Sequence, residues 1–194
     1  MKHLRPALVL TFFFIVVTGL LFPFIVTAIA QVALPKQANG SMLEVNGKVV
    51  GSELIGQAFA GAGFFHPRPS AAGSGYDANS SSGTNLGPTN PKLLTGADGF
   101  DGVEQLAASY RKLNGVAADV KLPVDAVTRS ASGLDPHISV RNAELQAARV
   151  ARARGLNESR VRALIAANTA QPLAGVLGEP MVNVLKLNIA LAKG

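Results

Sequence analysis

Between Pro6 and Pro35 the chain carries no charged side chain, and the middle of that interval, residues 7–30, reads ALVLTFFFIVVTGLLFPFIVTAIA. As a helix these residues extend about 36 Å at ~1.5 Å per residue, more than the roughly 30 Å of a bilayer's hydrocarbon core. Lys2, His3 and Arg5 stand before the run, and the nearest charge after it is Lys36. That asymmetry keeps an N-terminus cytoplasmic and sends the rest of the chain to the other side. A cleaved secretory signal also fits the basic start, the apolar stretch, Pro23 and the small-x-small Ala28-Ile29-Ala30. The run is longer than the ~7–15 residues of a signal's apolar region, which favours an uncleaved single-span anchor. The expected organisation is a membrane anchor over 1–34, with its span at about 7–30, followed by one extracytoplasmic domain over 35–194 in the cell (inner) membrane's outer compartment.

The chain has no cysteine, so that domain must hold together on its core alone. Residues 31–194 suffice for one such core. Without Lys2 and Arg5 the remainder has 16 basic against 12 acidic residues, a net +4, and six arginines fall within 141–162. With two tyrosines, no tryptophan and no recognisable binding motif, nucleic acid is not an expected partner. A solvated helical face, or one meeting acidic protein or lipid, suits the arginines better.

Local signals then mark the elements. Asn46-Gly47 in MLEVNGKVVGS predicts a β-hairpin, because both turn residues must take positive φ. ELIGQAF (53–59) fits either a strand or a turn or two of helix. From Gly61 to Leu93 the chain is rich in Gly, Ser, Asn and Pro yet holds Phe64, Phe65, His66, Arg68 and Tyr76. Loops beyond ~12–15 residues are usually functional or disordered, and the embedded aromatics argue for a shaped loop. Asp101 with Glu104 suggests an acidic capping box opening a helix over 102–114, stopped by Gly115. VDAVT (124–128) is a strand candidate. Ser139 caps a helix over 140–154 that Gly155 ends, and Asn157 caps another over 158–168. MVNVLKLNIAL (181–191) predicts a strand with one irregularity after Val184. A hairpin, short strands and about three helices make an α+β domain.

Catalytic constellations are missing. The sequence contains no G-x-x-x-x-G-K-[ST] and no G-x-G-x-x-G, and His3, His66 and His137 lack metal-ligand spacing. Ser109-Tyr110-Arg111-Lys112 satisfies S-x-x-K, but the companion S-D-N and K-T-G are absent and both residues belong to the polar side of the expected helix. Asp135, before Pro136 and His137, is expected to close an Asx-type turn. From the residues alone the domain is a membrane-tethered binding or assembly module, not an enzyme on its own, and a secreted or anchored binding module unrelated to transport is the alternative.

Six stretches occur in a familiar order: GSELIGQAF, FFHPRPSAAGSGYDANSSSGTNLGPTNPKL, SGLDPHIS, AELQAARVARARGL, GVLGEPMVNVLKLNIAL and the N-terminal span. They resemble the C subunit of the bacterial Kdp-type potassium-translocating P-type ATPase, from the anchor to about Leu191; Val140 departs from the family's preference for proline there. The resemblance implies an accessory place in an ATP-driven, high-affinity potassium importer. Its implied partners are a channel-like potassium-binding subunit, a P-type ATPase subunit and membrane lipid. It further implies a role in assembly and activity, and in raising the ATPase subunit's affinity for ATP through a nucleotide contact by a glutamine matching Gln146. The charge asymmetry speaks against that contact, since it puts Gln146 and ATP on opposite sides. The stretch SSSGTNLGPTNP (80–91) is read as a family signature on a structured surface, directed to the outer face of the channel-like subunit.

Overall fold

The computed structural model describes residues 2–97 and 99–193. The chain divides into two compact units, Met1–Ser52 and Glu53–Gly194.

In the first unit α1 (Leu4–Val16), a π-helical stretch (Val17–Leu21) and α2 (Phe22–Ala33) run on as one helix, Leu4–Ala33, with no buried residue in its apolar window. The widened turn sits where it is needed. Pro23 has no N–H to donate, and its ring would clash with a carbonyl one turn back, which a local π-bulge relieves. The single-turn α3 (Pro35–Ala38) follows. β1 (Met42–Val45) and β2 (Lys48–Ser52) then pair antiparallel around Asn46 (φ 52°) and Gly47 (φ 74°), both left-handed as a two-residue hairpin turn requires. A register shift between Leu43 and Glu44 bulges the ladder, and the Ser52 hydroxyl donates to the Gly40 carbonyl at 2.6 Å.

The second unit is α+β. Its core comprises Phe65, Ile138, Ala143, Ala147, Val150, Val161, Ile165, Val182, Val184, Leu187 and neighbouring aliphatics. Helix α4 (Pro91–Thr95) is capped by the Asn90 side chain. Helix α5 (Val103–Asn114) ends at left-handed Gly115. Its N-cap is Gly102 rather than Asp101, and Gln105 Oε1 accepts the Gly102 N–H at 3.0 Å. The expected box is displaced by one residue because a Cβ at 102 would lie 2.5 Å from the Leu94 carbonyl oxygen, so only glycine fits the entry.

β3 (His137–Ser139) leads directly into α6 (Val140–Arg154). Ser139 Oγ accepts from the Asn142 N–H at 3.1 Å, and Gly155 (φ 66°) stops the helix. α7 (Glu158–Ala167) starts at Asn157, whose side chain accepts from Ser159. β4 (Thr169–Ala170) and β5 (Met181–Asn183) complete an antiparallel sheet in the order β3-β5-β4. α8 (Val184–Lys193) follows β5 without a loop.

Three local expectations are corrected. Residues 124–128 form a 3-10 turn, Val124–Ala126, not a strand. Pro123 sets φ for turn entry, and the turn aims the Asp125 carboxylate at Ser139. Residues 184–191 are helix, not strand; the irregularity after Val184 is the change of period, with Val184, Leu187, Asn188 and Leu191 buried along one stripe. ELIGQAF adopts neither structure. It lies along 134–135, where Gly56 N–H donates to the Leu134 carbonyl at 2.8 Å and a Cβ on Gly56 would be 2.6 Å from the Asp135 oxygen.

Candidate functional site

Helix α6 presents two stripes inward. Ala143, Ala147 and Val150 join the core, while Asn142, Gln146 and Arg149, one and two turns apart, form a buried polar stripe beside them. Gln146, 1% exposed, donates from Nε2 to the His66 carbonyl (3.0 Å) and to Asn142 Oδ1 (2.9 Å). Its Oε1 accepts from the His66 N–H (2.7 Å) and from Arg149 Nη2 (2.8 Å). Both amide hydrogens and both lone-pair directions are therefore occupied within the chain.

Arg149, 6% exposed, is the one buried arginine of 141–162, so the expectation of a solvated arginine face fails at this position. Its partners are neutral oxygens: Asn114 Oδ1 at 2.8 Å, and the Ala62 and Phe64 carbonyls at 2.6 and 2.9 Å. Burial pushes the guanidinium below its ordinary range. Asn188 on α8 grips the neighbouring peptide, accepting from the Phe65 N–H at 2.8 Å and donating to its carbonyl at 3.0 Å. Tyr110 on α5 donates to Asn142 Oδ1 at 2.8 Å, and burial raises its phenol well above the usual value. Segment 62–66, irregular in sequence, is thus held like a strand by side chains standing in for a partner's peptide groups.

A second node fixes the loop further on. Arg68 pairs with Asp135 at 3.0 Å, and Asp135 also accepts the His137 N–H at 2.9 Å, the expected Asx-type turn. Ser70 Oγ donates to the Gly133 carbonyl at 2.7 Å and accepts from the Ala72 and Tyr76 N–H groups. The Tyr76 hydroxyl reaches the Arg68 carbonyl. A cleft of about 650 Å³ opens here between Arg68, His137, Arg141 and Glu179. Burial lowers the imidazole of His137, with Asp135 opposing and Lys186 assisting.

The outward N–H groups of edge strand β3 meet carboxylates: His137 finds Asp135, and Ser139 finds Asp125 at 2.8 Å. That blunts an edge which would otherwise template pairing with another chain.

SSSGTNLGPTNP lies against the hydroxyl-rich 130–133. Ser82 N–H and Ser81 Oγ both donate to the Ser132 carbonyl, at 3.0 and 2.9 Å, and Gly83 passes so close that a Cβ would sit 2.7 Å from the Ala131 oxygen. Beyond Gly83 the stretch turns outward, and Asn85 and residues 87–91 are exposed. Phe100 is flanked by Arg129 at 4.3 Å and Lys92 at 5.1 Å. Ser109 and Lys112 are both exposed on α5. Among the described residues no group of three His, Asp or Glu side chains is arranged to hold a metal.

Of these buried groups, Gln146 is the one the sequence offered as a candidate nucleotide contact. Asn142 and Arg149 carried a readable signal, the four- and three-residue steps on either side of Gln146, and Tyr110 lay on the core-facing stripe of the helix over 102–114; Asn114 and Asn188 carried none.

The family model for the K+-transporting ATPase, c chain (KdpC) matches residues 4–193. The chain is 52% identical over 190 residues to the potassium-transporting ATPase KdpC subunit of Mycobacterium tuberculosis strain H37Rv, covering 98% of this chain and 97% of the relative. It is 53% identical over 192 residues to that of Caulobacter vibrioides, covering 98% and 93%, and 48% identical over 191 residues to that of Koribacter versatilis, covering 98% and 94%.

Proposed function

The chain belongs to the KdpC family, the c chain of the K+-transporting ATPase, and from that premise we propose that it is a non-catalytic accessory subunit needed for the pump to assemble and work. The observation that carries the reading is the extent of the kinship: residues 4–193 include both the apolar helix Leu4–Ala33 and the whole folded unit. The helix anchors the chain among lipid. Lys2 and Arg5 keep the N-terminus cytoplasmic, and residues 35–194 form the extracytoplasmic domain. That domain meets the channel-like potassium-binding subunit at its outer entrance, through the exposed part of 84–91, while a P-type subunit hydrolyses ATP inside.

Under this topology Gln146 is a framing residue rather than a nucleotide contact. Its amide is spent on His66, Asn142 and Arg149, and a nucleotide would have to displace those bonds in a place where a vacated partner finds no water. Any influence on the ATPase subunit's affinity for ATP is then relayed through subunit contacts.

The test is native mass spectrometry of the tagged full chain extracted in mild detergent. A full-length chain travelling with two larger membrane subunits supports the reading; a soluble chain shortened near Gln31, alone, overturns it. Because the chain has no cysteine, Lys121→Cys at an exposed position reports topology. Labelling of intact spheroplasts by a membrane-impermeant maleimide is expected, and protection until lysis would refute the extracytoplasmic placement.

A further inference from the structure

Residues 163–178 contain no charged side chain, and the part that leaves the sheet, Pro172 to Gly178, sends its large side chains outward. Leu173, Val176 and Leu177 are 74%, 78% and 64% exposed. This is a built projection rather than slack chain. Leu173 and Leu177 exchange backbone bonds in both directions, each at 3.0 Å, around left-handed Ala174 (φ 53°) and Gly175 (φ 78°). A non-glycine residue held at that φ stores strain that an unconstrained loop would release.

Beside the projection lies a groove of about 430 Å³ whose walls include Val140, Ile165, Ala166 and Pro180. Glu144, the charged residue in its wall, is engaged within the chain by Arg162, which also bonds Glu158. An occupant of the groove therefore needs no charge of its own to satisfy that wall.

We propose that the Leu173–Leu177 hairpin is a knob that seats in an uncharged, aliphatic pocket on a larger membrane subunit of the same ATPase. The inference rests on the accessory-subunit reading above. Three features favour a protein pocket over a bilayer surface. The projection has no Trp, Tyr or Phe, the residues that settle at headgroup level; it has no basic residue; and Glu179, which anionic headgroups repel, follows it directly. Aliphatic side chains on a pre-ordered backbone suit a dry pocket, because little ordering entropy is lost on docking. The membrane anchor holds knob and pocket in one complex, so a small contact area suffices.

The test places a photo-cross-linking benzoylphenylalanine at Val176 in the full-length chain, co-expressed with the other subunits of the pump, alongside the V176D/L177D variant. Cross-links from position 176 to a larger subunit are expected. For the variant, recovery of the intact complex should fall by about tenfold or more, the size of loss that apolar hot spots carry. Both variant side chains are exposed, so unchanged thermal unfolding of the variant chain separates lost docking from misfolding. Cross-links only to lipid, only to a second copy, or to nothing, while the unmodified chain still copurifies with its partners, would overturn the knob and leave the subunit reading standing. Failure of the unmodified chain to copurify would overturn both.

Discussion

Gln146 holds His66 by both sides of its backbone, accepting from the N–H at 2.7 Å and donating to the carbonyl at 3.0 Å across 80 residues of sequence. One side-chain amide thereby replaces the peptide group of an absent neighbouring strand, and the irregular segment before Pro67 acquires a fixed path.

Gln146→Ala is expected to lower stability by about 3 kcal/mol, because it strands the His66 N–H and carbonyl and one Arg149 bond away from water. Urea unfolding of the full chain in detergent, followed by the fluorescence of Tyr76 and Tyr110, measures it; the chain has no tryptophan to obscure them. A change under about 1 kcal/mol, or an ATP-induced rise in Tm that the variant abolishes, would restore the nucleotide role.

Arg149→Lys keeps the charge but loses the planar fork that reaches Asn114, Ala62, Phe64 and Gln146 together. A buried ammonium with fewer acceptors should cost about 2–4 kcal/mol in the same unfolding experiment.

Gly133→Ala confronts both a left-handed φ of 68° and crowding. The new Cβ would lie 2.6 Å from the Ala72 nitrogen and from the Ser82 oxygen. A loss of about 2–4 kcal/mol is expected. Gly155→Ala, with φ 66° but open space around it, isolates the conformational part and should cost about 1 kcal/mol.

Burial lowers the imidazoles of His66 and His137 beneath their ordinary 6.5, against the Gly61 carbonyl bond in one and the Asp135 charge in the other. Well above 6.5 both are neutral in folded and unfolded chains, and stability is full. As pH falls below that value the unfolded chain takes up protons first, so Tm should decline down through the two folded-state values. His66→Gln and His137→Gln together should flatten the slope between about pH 7 and pH 5, above the range where carboxylates titrate.

Ser109→Ala should leave potassium-dependent ATP hydrolysis of the complex unchanged, since the hydroxyl is exposed on α5. A loss of activity would revive a nucleophilic role for the S-x-x-K spacing.

Where one strong local rule governs an element, the sequence was readable. Asn46-Gly47 set the hairpin, and Ser139, Gly155 and Asn157 bounded two helices as expected. Misreadings arose where a side chain was recruited from afar. Asn188 interrupts the apolar stripe of α8 because it is needed at Phe65, and without that knowledge 181–191 looks like an alternating strand. Asp125 likewise bends a would-be strand into a turn to reach Ser139. The single membrane-length helix was plain from hydropathy, while what the polar stripe around Gln146 holds was not, since the backbone groups of 62–66 that it bonds lie 80 and more positions away.

The grip of Asn188 on Phe65 spans 123 residues. A ribosome must therefore add over a hundred residues after Phe65 before the amide that fixes this peptide exists. At ~5–20 residues per second that is an interval of many seconds, in which the aromatic loop is made but cannot settle. Assembly of this unit is thus timed by α8, which brings the last side chain this peptide waits for.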